Sequence, residues 1–252
     1  RIAELADVEE LCIHPGMGDD GLALGAALLA ADNASEARVE QIQSVYLGPS
    51  YTDSQIEEEL AKHPVSFTKP KDLEGEVADI LARGEAVALF QGRMEYGPRA
   101  LGNRSVIASP HDRSINDWLN KKFNRTEFMP FAPVTLAERA GECYPKLHKG
   151  TYTATFMTIC TPCTEEMRRT QPAVVHIDGT ARPQLITEEA NPRYRNILKK
   201  FSEKTGLPSM VNTSFNMHEE PIVRSPNDAV RALLDSGLPY LAIEGYLVTP
   251  NP

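Results

Sequence analysis

Gln91-Gly92-Arg93-Met94-Glu95-Tyr96-Gly97-Pro98-Arg99-Ala100-Leu101-Gly102-Asn103-Arg104-Ser105 is the densest stretch of the chain, with three arginines and three glycines in fifteen residues. It follows Ala86 to Gln91 (AVALFQ), a short apolar run that reads as a buried strand. Guanidinium forks suit bidentate binding of phosphate or carboxylate, and glycines let a backbone approach a ligand closely. The bland alternative is a surface loop with solvated arginines. Arginines spaced between glycines directly after a buried strand favour the ligand loop. The stretch carries neither the Walker lysine of a phosphate loop nor the dinucleotide fingerprint. Its residues therefore specify an anion site and no named ligand.

Around this stretch the pattern is mixed α/β. Ser54 to Lys62 reads as a charged helix capped by Ser54 or Asp53, and the run after Asp72 as a helix with Val77, Ile80 and Leu81 inward and Gly84 as its stop. Ile115 to Phe123, Tyr194 to Thr205 and Pro226 to Ser236 read as helices, the last with Ser225 as cap. Thr153 to Cys160, Ala173 to Ile177, Ser209 to Thr213 and Leu241 to Val248 read as strands.

Three further segments carry candidate chemistry. Asn120 to Pro133 (NKKFNRTEFMPFAP) mixes cations, aromatics and two prolines, and Lys122 and Arg125 face one ligand if Lys122 still lies on a helix end. An ordinary exposed helix terminus is the alternative. His176 to Gln184 (HIDGTARPQ) places polar groups on a tight turn, where His176 reads equally as a satisfied, half-buried histidine. Val211 to Asn216 (VNTSFN) runs a strand into hydroxyl and amide side chains that bind a ligand or cap a turn.

Near the beginning, Pro15-Gly16-Met17-Gly18-Asp19-Asp20-Gly21 precedes the small apolar run Leu22 to Leu29. The glycines suggest a tight turn with positive φ, and the apolar run a closely packed helix. Such a turn at a helix N-terminus can hold a phosphate, and it normally follows strands of its own sheet. Little chain precedes this one, so the segment is expected to be the tail of a larger domain. A short N-terminal arm is the alternative.

The chain has 252 residues, 41% of them hydrophobic, with 26 basic and 35 acidic side chains and a formal charge of −9. That supports a real core and argues against a broad nucleic-acid surface, which needs a basic face. No run approaches the roughly 20 apolar residues of a membrane span. Four cysteines do not make a disulfide framework in a chain of this length. Cys160 and Cys163 have redox or zinc spacing but lack a second ligand pair, and read as ordinary thiols. The expectation is a cytoplasmic protein without a membrane partner.

Together the runs QGRMEYGPRALGNRS, NRTEFMPFAPV, HIDGTARPQ and VNTSFN resemble, in order and spacing, the C-terminal region of the O-carbamoyltransferases of nodulation-factor and antibiotic biosynthesis. The resemblance covers essentially the whole chain. It implies a YrdC/Sua5-like α/β domain with a mixed twisted sheet over 49–252. Residues 1–48 would be the C-terminal fragment of an ASKHA-type (Kae-like) domain that normally precedes it, with Asp19 at its metal-ligating aspartate. Carbamoyl phosphate would be cleaved to carbamate, ATP would activate it as O-carbamoyl-adenylate, and the Kae-like domain would pass the carbamoyl group to a hydroxyl of a sugar-containing small molecule. The implied cofactors are ATP with Mg²⁺, and a divalent metal such as iron in the Kae-like domain.

By the same resemblance Arg93, Arg99 and Arg104 bind phosphates and the carbamoyl oxygen, and Lys122 and Arg125 stabilise charge at the α-phosphorus. Asn212, Ser214 and Asn216 hold the nucleotide or its Mg²⁺, and His176, Asp178 and Arg182 line the pocket. The Lys122–Arg125 spacing is one residue wider than the family's Lys-x-Arg, which leaves Lys121 as the other candidate. Two other readings compete: a free-standing threonylcarbamoyl-adenylate synthase of tRNA modification, and a non-catalytic RNA-binding module. Residues 1 to 45 speak against the first, and the acidic balance against the second.

Overall fold

A computed structural model of the chain describes residues 2–34, 42–126 and 130–251. Its helices are α1 (Asp20–Ala34), α2 (Asp53–Leu60), α3 (Leu73–Ala82), α4 (Ser114–Lys122), α5 (Ala140–Cys143), α6 (Thr151–Ala154), α7 (Glu165–Thr170), α8 (Pro192–Thr205) and α9 (Pro226–Ser236). The strands are β1 (Val65–Thr68), β2 (Val87–Phe90), β3 (Arg104–Ala108), β4 (Ala132–Leu136), β5 (Thr161–Pro162), β6 (Thr180–Ala181), β7 (Gln184–Ile186), β8 (Ser209–Ser214), β9 (Leu241–Ile243) and β10 (Tyr246–Pro250). Eight strands form one sheet in the order β1-β10-β9-β2-β3-β8-β4-β7, and β5 pairs with β6 separately. The β2–β9 and β4–β7 pairs are parallel and the other neighbours antiparallel, so the expected mixed α/β domain is present.

β2 is buried at all four positions because both faces of the sheet are covered. Its side chains alternate between two cores. Val87 and Leu89 pack with α3 and α8, while Ala88 and Phe90 face the core that includes Ile56 and Leu60 of α2, Leu119 of α4 and Val230 and Leu233 of α9. Each fully buried Leu or Phe contributes roughly 1.5–3 kcal/mol, so this double coverage fixes the middle of the sheet.

The helix ends follow local chemistry. Thr52, which directly precedes the expected caps Asp53 and Ser54, closes a capping box with Gln55. Ser225 does the same with Asp228 ahead of Pro226, and Asp72 accepts from the Gly75 N–H.

Several elements depart from the sequence reading. Thr153 to Cys160 is the short helix α6 and a turn, not a strand. Thr153 and Thr158 spend their hydroxyls on backbone carbonyls there, and Met157 takes a positive φ of 57°. Ala173 to Ile177 holds no strand, because Pro172 starts a 3-10 turn over Pro172–Val174. Leu241 to Val248 is two strands, folded into a hairpin at Glu244 (φ 45°) and Gly245. The sequence reading assigns no strand to β1, β3, β4, β5, β6 or β7.

At the chain's beginning α1 forms, yet none of its residues is buried, and Leu22 and Leu29 are 70% and 64% exposed. None of Gly16, Gly18 and Gly21 has positive φ. Smallness is what the turn needs: a Cβ on Gly21 would lie 2.0 Å from the Gly16 carbonyl oxygen. Flanking segments dock on the sheet domain. The Leu11 N–H donates to Lys149 O (2.8 Å), the Ile13 N–H to Thr153 Oγ1 (3.0 Å), and Val45 is buried beside Leu101 and Ala132. Among the described residues, no helix is long and apolar enough to cross a membrane.

Candidate functional site

The strand register gathers the candidate segments at one end of the sheet. Phe90 pairs with Arg104 and Ile243, Ser105 with Ser214, Ala132 with Asn212, and Val134 with Gln184. Their neighbours therefore share that end: the Gln91–Asn103 loop, Arg125, Phe131, Arg182, and Phe215 to Asn216. Glu127, Phe128 and Met129 of the resembling run NRTEFMPFAPV lie outside the described residues.

The loop between β2 and β3 is held from within. Glu95 is buried, and its Oε1 accepts the N–H groups of Leu101 (2.7 Å), Asn103 (2.7 Å) and Arg104 (3.2 Å). The loop carbonyls are taken by buried amides. Asn212 Nδ2 donates to Ala100 O (2.9 Å), Gln184 Nε2 to Leu101 O (2.9 Å), and Gln91 Nε2 to Gly102 O (3.1 Å). Asn191 Nδ2 donates to Asn103 Oδ1 (2.8 Å). Gly102 sits at φ 111°, and a Cβ there would lie 2.2 Å from Tyr194 Cδ1, so only glycine fits.

The three arginines of the loop have different surroundings. Arg93 is exposed and donates to the carbonyls of Leu47 and Gly48. Arg104 is turned into the protein and fully buried. It donates to Gln91 O and Asn103 O (both 2.8 Å) and to Pro49 O and Gly92 O (both 3.3 Å), and lies 3.7 Å from the Phe90 ring centroid. Its guanidinium is thus turned to the backbone of its own loop and to Pro49 O, where the sequence reading expects it to bind a phosphate.

Arg99 is half-buried, its Nε is buried without a partner, and burial holds its guanidinium below the ordinary range. Arg182 is similar: burial lowers it first, then the nearby charge of Arg99. The exposed Cys160 thiol lies in the field of both. Arg125 is also half-buried and lowered by burial. It donates to Thr213 Oγ1 (3.2 Å) and Ser214 O (3.3 Å), with its guanidinium 5.1 Å and 5.6 Å from the Phe123 and Phe131 ring centroids.

Arg83, Arg139, Arg168, Arg169, Arg193, Arg195 and Arg231 each find a carboxylate within 4 Å. Among the described residues Arg93, Arg99, Arg104, Arg113, Arg125, Arg182 and Arg224 find none, and of these Arg99, Arg125 and Arg182 are half-buried, although acidic side chains outnumber basic ones by 35 to 26. Half-buried cations without a counter-ion are costly unless an anion completes them.

His176 and Asp178 form a closed turn beside Arg182. Asp178 Oδ1 accepts the Thr180 N–H (3.0 Å) and hydroxyl (2.7 Å), which hold its carboxyl below the usual range. His176 Nδ1 lies 3.1 Å from Thr180 Oγ1, and burial keeps the imidazole below its ordinary value. A cleft of about 580 Å³ opens beside it, walled by Phe131, Val175 and Ile177 and edged by Arg113, Asp117 and His176.

The remaining candidates lie elsewhere or do structural duty. Lys122 donates to Gly237 O (2.8 Å) at the C-terminal end of α9, with Nζ 5.4 Å from the Trp118 ring centroid. That side chain serves a helix end and turns away from Arg125. Asn212 is buried and ties the loop to β8. Ser214 ends β8, and its carbonyl accepts from Arg125. Asn216 lies past the strand, where its Nδ2 donates to Met217 O (2.8 Å) and Glu220 O (3.1 Å), while Phe215 is in the core. Around Asp19 the described residues assemble no group of three or more His, Cys, Asp or Glu donors. They do not by themselves make the metal site expected there.

Sequence reasoning missed Glu95 and the amides of Gln91, Gln184 and Asn191. The available signal was uncharged amides next to apolar strand residues, which must find internal partners once buried.

A family model described as "Carbamoyltransferase C-terminus" matches residues 78–250. The protein MJ1058 of Methanocaldococcus jannaschii is 40% identical over 256 residues, covering 98% of this chain and 41% of that protein. Nodulation protein NolO of Bradyrhizobium diazoefficiens is 35% identical over 249 residues, covering 97% of this chain and 45% of that one. The chain thus spans less than half the length of either relative. Among solved structures, HypF of T. kodakarensis is 16% identical with a TM-score of 0.48, over 74% of this chain and 23% of that one.

Proposed function

Because this chain belongs to the carbamoyltransferase C-terminus family, we propose that it is the anion-handling part of a carbamoyltransferase that uses ATP, with Mg²⁺, and carbamoyl phosphate. The acceptor is a hydroxyl of a sugar-containing small molecule. Residues 49–252 form the carbamoyl-activating unit, and residues 1–48 belong to the unit that completes transfer. The observation that carries this reading is the set of half-buried arginines without carboxylate partners, Arg99, Arg125 and Arg182, at one end of the sheet.

In the proposed reaction water cleaves carbamoyl phosphate to carbamate and inorganic phosphate, a carbamate oxygen attacks the α-phosphorus of ATP, and pyrophosphate leaves. The acceptor hydroxyl then attacks the carbamoyl carbon of the mixed anhydride, loses its proton, and AMP leaves. Such chemistry depends mainly on positioning and on neutralising charge. Arg99 and Arg182 bind the leaving phosphates, and Arg125 holds the nucleotide beside Ser214. Preorganised cations with little water around them act strongly on charge that develops as the leaving group departs. His176, kept neutral by burial, offers Nε2 as a hydrogen-bonding group at the cleft without adding charge. A metal at Asp19 would need ligands beyond the described residues, and no step here uses one.

The test is isotope exchange. With ATP, Mg²⁺ and carbamoyl phosphate, the 252-residue chain should exchange labelled pyrophosphate into ATP and transfer no carbamoyl group to a sugar hydroxyl. Absence of exchange from a folded chain would refute the activating role. Transfer to a hydroxyl by this chain would refute the division at residue 48.

A further inference from the structure

We infer that Glu95 is the positioning residue of the anion site, its buried carboxylate closing the 96–104 loop so that Arg99 is presented to the ligand. The inference rests on the proposed role of Arg99 and extends it to a residue that touches no substrate.

Arg99 lies between Glu95 and the residues Glu95 binds. Glu95 Oε1 takes the N–H groups of Leu101, Asn103 and Arg104 at 2.7, 2.7 and 3.2 Å, so one oxygen fixes both the reversal of the chain and the start of β3. A converging set of backbone N–H groups is an anion-binding nest, filled here by a side chain of the same loop. The carbonyls of Ala100, Leu101 and Gly102 point the other way, each to a buried amide from Asn212, Gln184 or Gln91. Arg99 itself receives little help, since its Nε has no partner. Its placement is therefore inherited from the loop backbone.

Keeping a carboxylate in that place is expensive. Burial raises the Glu95 acid above the usual range, opposed by the backbone N–H groups and by the charge of Arg104. A neutral hydrogen-bonding side chain would close a purely structural loop at lower cost. A charged acceptor gains stronger hydrogen bonds and greater stiffness, which matters where a guanidinium must meet an anion without reorganising.

The experiment is a double-mutant cycle read by calorimetric titration with inorganic pyrophosphate, on wild type, Glu95→Gln, Arg99→Ala and the double variant. Titrations run well below each melting temperature, and amide hydrogen exchange is followed on the same proteins. Glu95→Gln is expected to weaken pyrophosphate binding by about tenfold and to speed exchange at Leu101, Asn103 and Arg104. Added to Arg99→Ala, it should cause no further loss of affinity, although it still lowers the melting temperature. A merely structural Glu95 would lower the melting temperature and leave affinity unchanged, which overturns the proposal. Full additivity with Arg99→Ala also overturns it, because Glu95 would then act through something other than Arg99. No binding by wild type would instead overturn the anion-site reading, and the positioning role with it.

Discussion

Replacing Arg104 with methionine tests the division of labour within the arginine loop. The substitution keeps an unbranched side chain but removes the donors to Gln91 O, Asn103 O, Pro49 O and Gly92 O and the stacking on Phe90. It also removes a positive charge that, after the backbone N–H groups, helps to offset the burial of the Glu95 carboxylate. Buried acceptors left unsatisfied cost about 1–3 kcal/mol each, so losing the two 2.8 Å donations together with the charge should cost about 3–5 kcal/mol. In a domain of this size each kcal/mol moves the melting point by roughly 2–4 °C, so Arg104→Met should melt about 6–20 °C below wild type. Arg99→Ala, by contrast, removes a side chain with no carboxylate partner and should melt within a few degrees of wild type. Differential scanning calorimetry on both variants, with pyrophosphate titrations at low temperature, measures the contrast. An Arg104→Met protein that melts like wild type but binds no pyrophosphate would refute the structural assignment.

Gly102→Ala combines a clash with Tyr194 and a φ of 111°, and should cost roughly 2–5 kcal/mol by urea unfolding; a near-neutral variant would contradict the loop geometry. Phe215→Ala should cost about 3–5 kcal/mol as a core truncation. Asn216→Ala, which loses two hydrogen bonds to its own turn, should cost about 1 kcal/mol and leave pyrophosphate affinity intact; a large affinity loss would return Asn216 to the binding site. Burial holds the folded pKa of His176 below its ordinary 6.5, so the unfolded chain takes up the proton first as the pH falls. The stability His176 contributes is therefore complete above about 6.5 and lost as the pH drops through the lower folded value. His176→Asn should flatten the urea midpoint between pH 7 and pH 5, and parallel curves for variant and wild type would exclude the effect.

What was legible in the sequence was what local chemistry decides. α3, α8 and α9 announce themselves by apolar spacing, by Asp72 and Ser225 as caps, and by prolines at the first turn. β2 is readable because a continuous apolar run fits a strand covered on both faces. The failures arise where tertiary context overrides a local pattern. The threonines around Thr153 favour a strand by propensity, yet their hydroxyls bind the segments that dock there. The turn at Glu244 uses a non-glycine residue at positive φ, so the hairpin of β9 and β10 read as one strand. Within the site, Arg99 and Arg104 are indistinguishable by residue type. The apolar run Val106-Ile107-Ala108 after Arg104 was the available sign that Arg104 already belongs to a strand, with its side chain in the core. Lys122 and Arg125 stand three residues apart, but α4 ends between them and their side chains diverge.

Under the proposed function, Arg99 and Arg182 form an anion site that serves adenylate formation. The most direct measurement is the rate of carbamoyl-phosphate-dependent pyrophosphate exchange into ATP by Arg99→Ala and Arg182→Ala, beside their melting curves. Each should lower the exchange rate by roughly tenfold or more, as expected for loss of a charged hydrogen bond at a reacting phosphate, while the melting temperature stays within a few degrees of wild type. Exchange at the wild-type rate in both variants would contradict the claim.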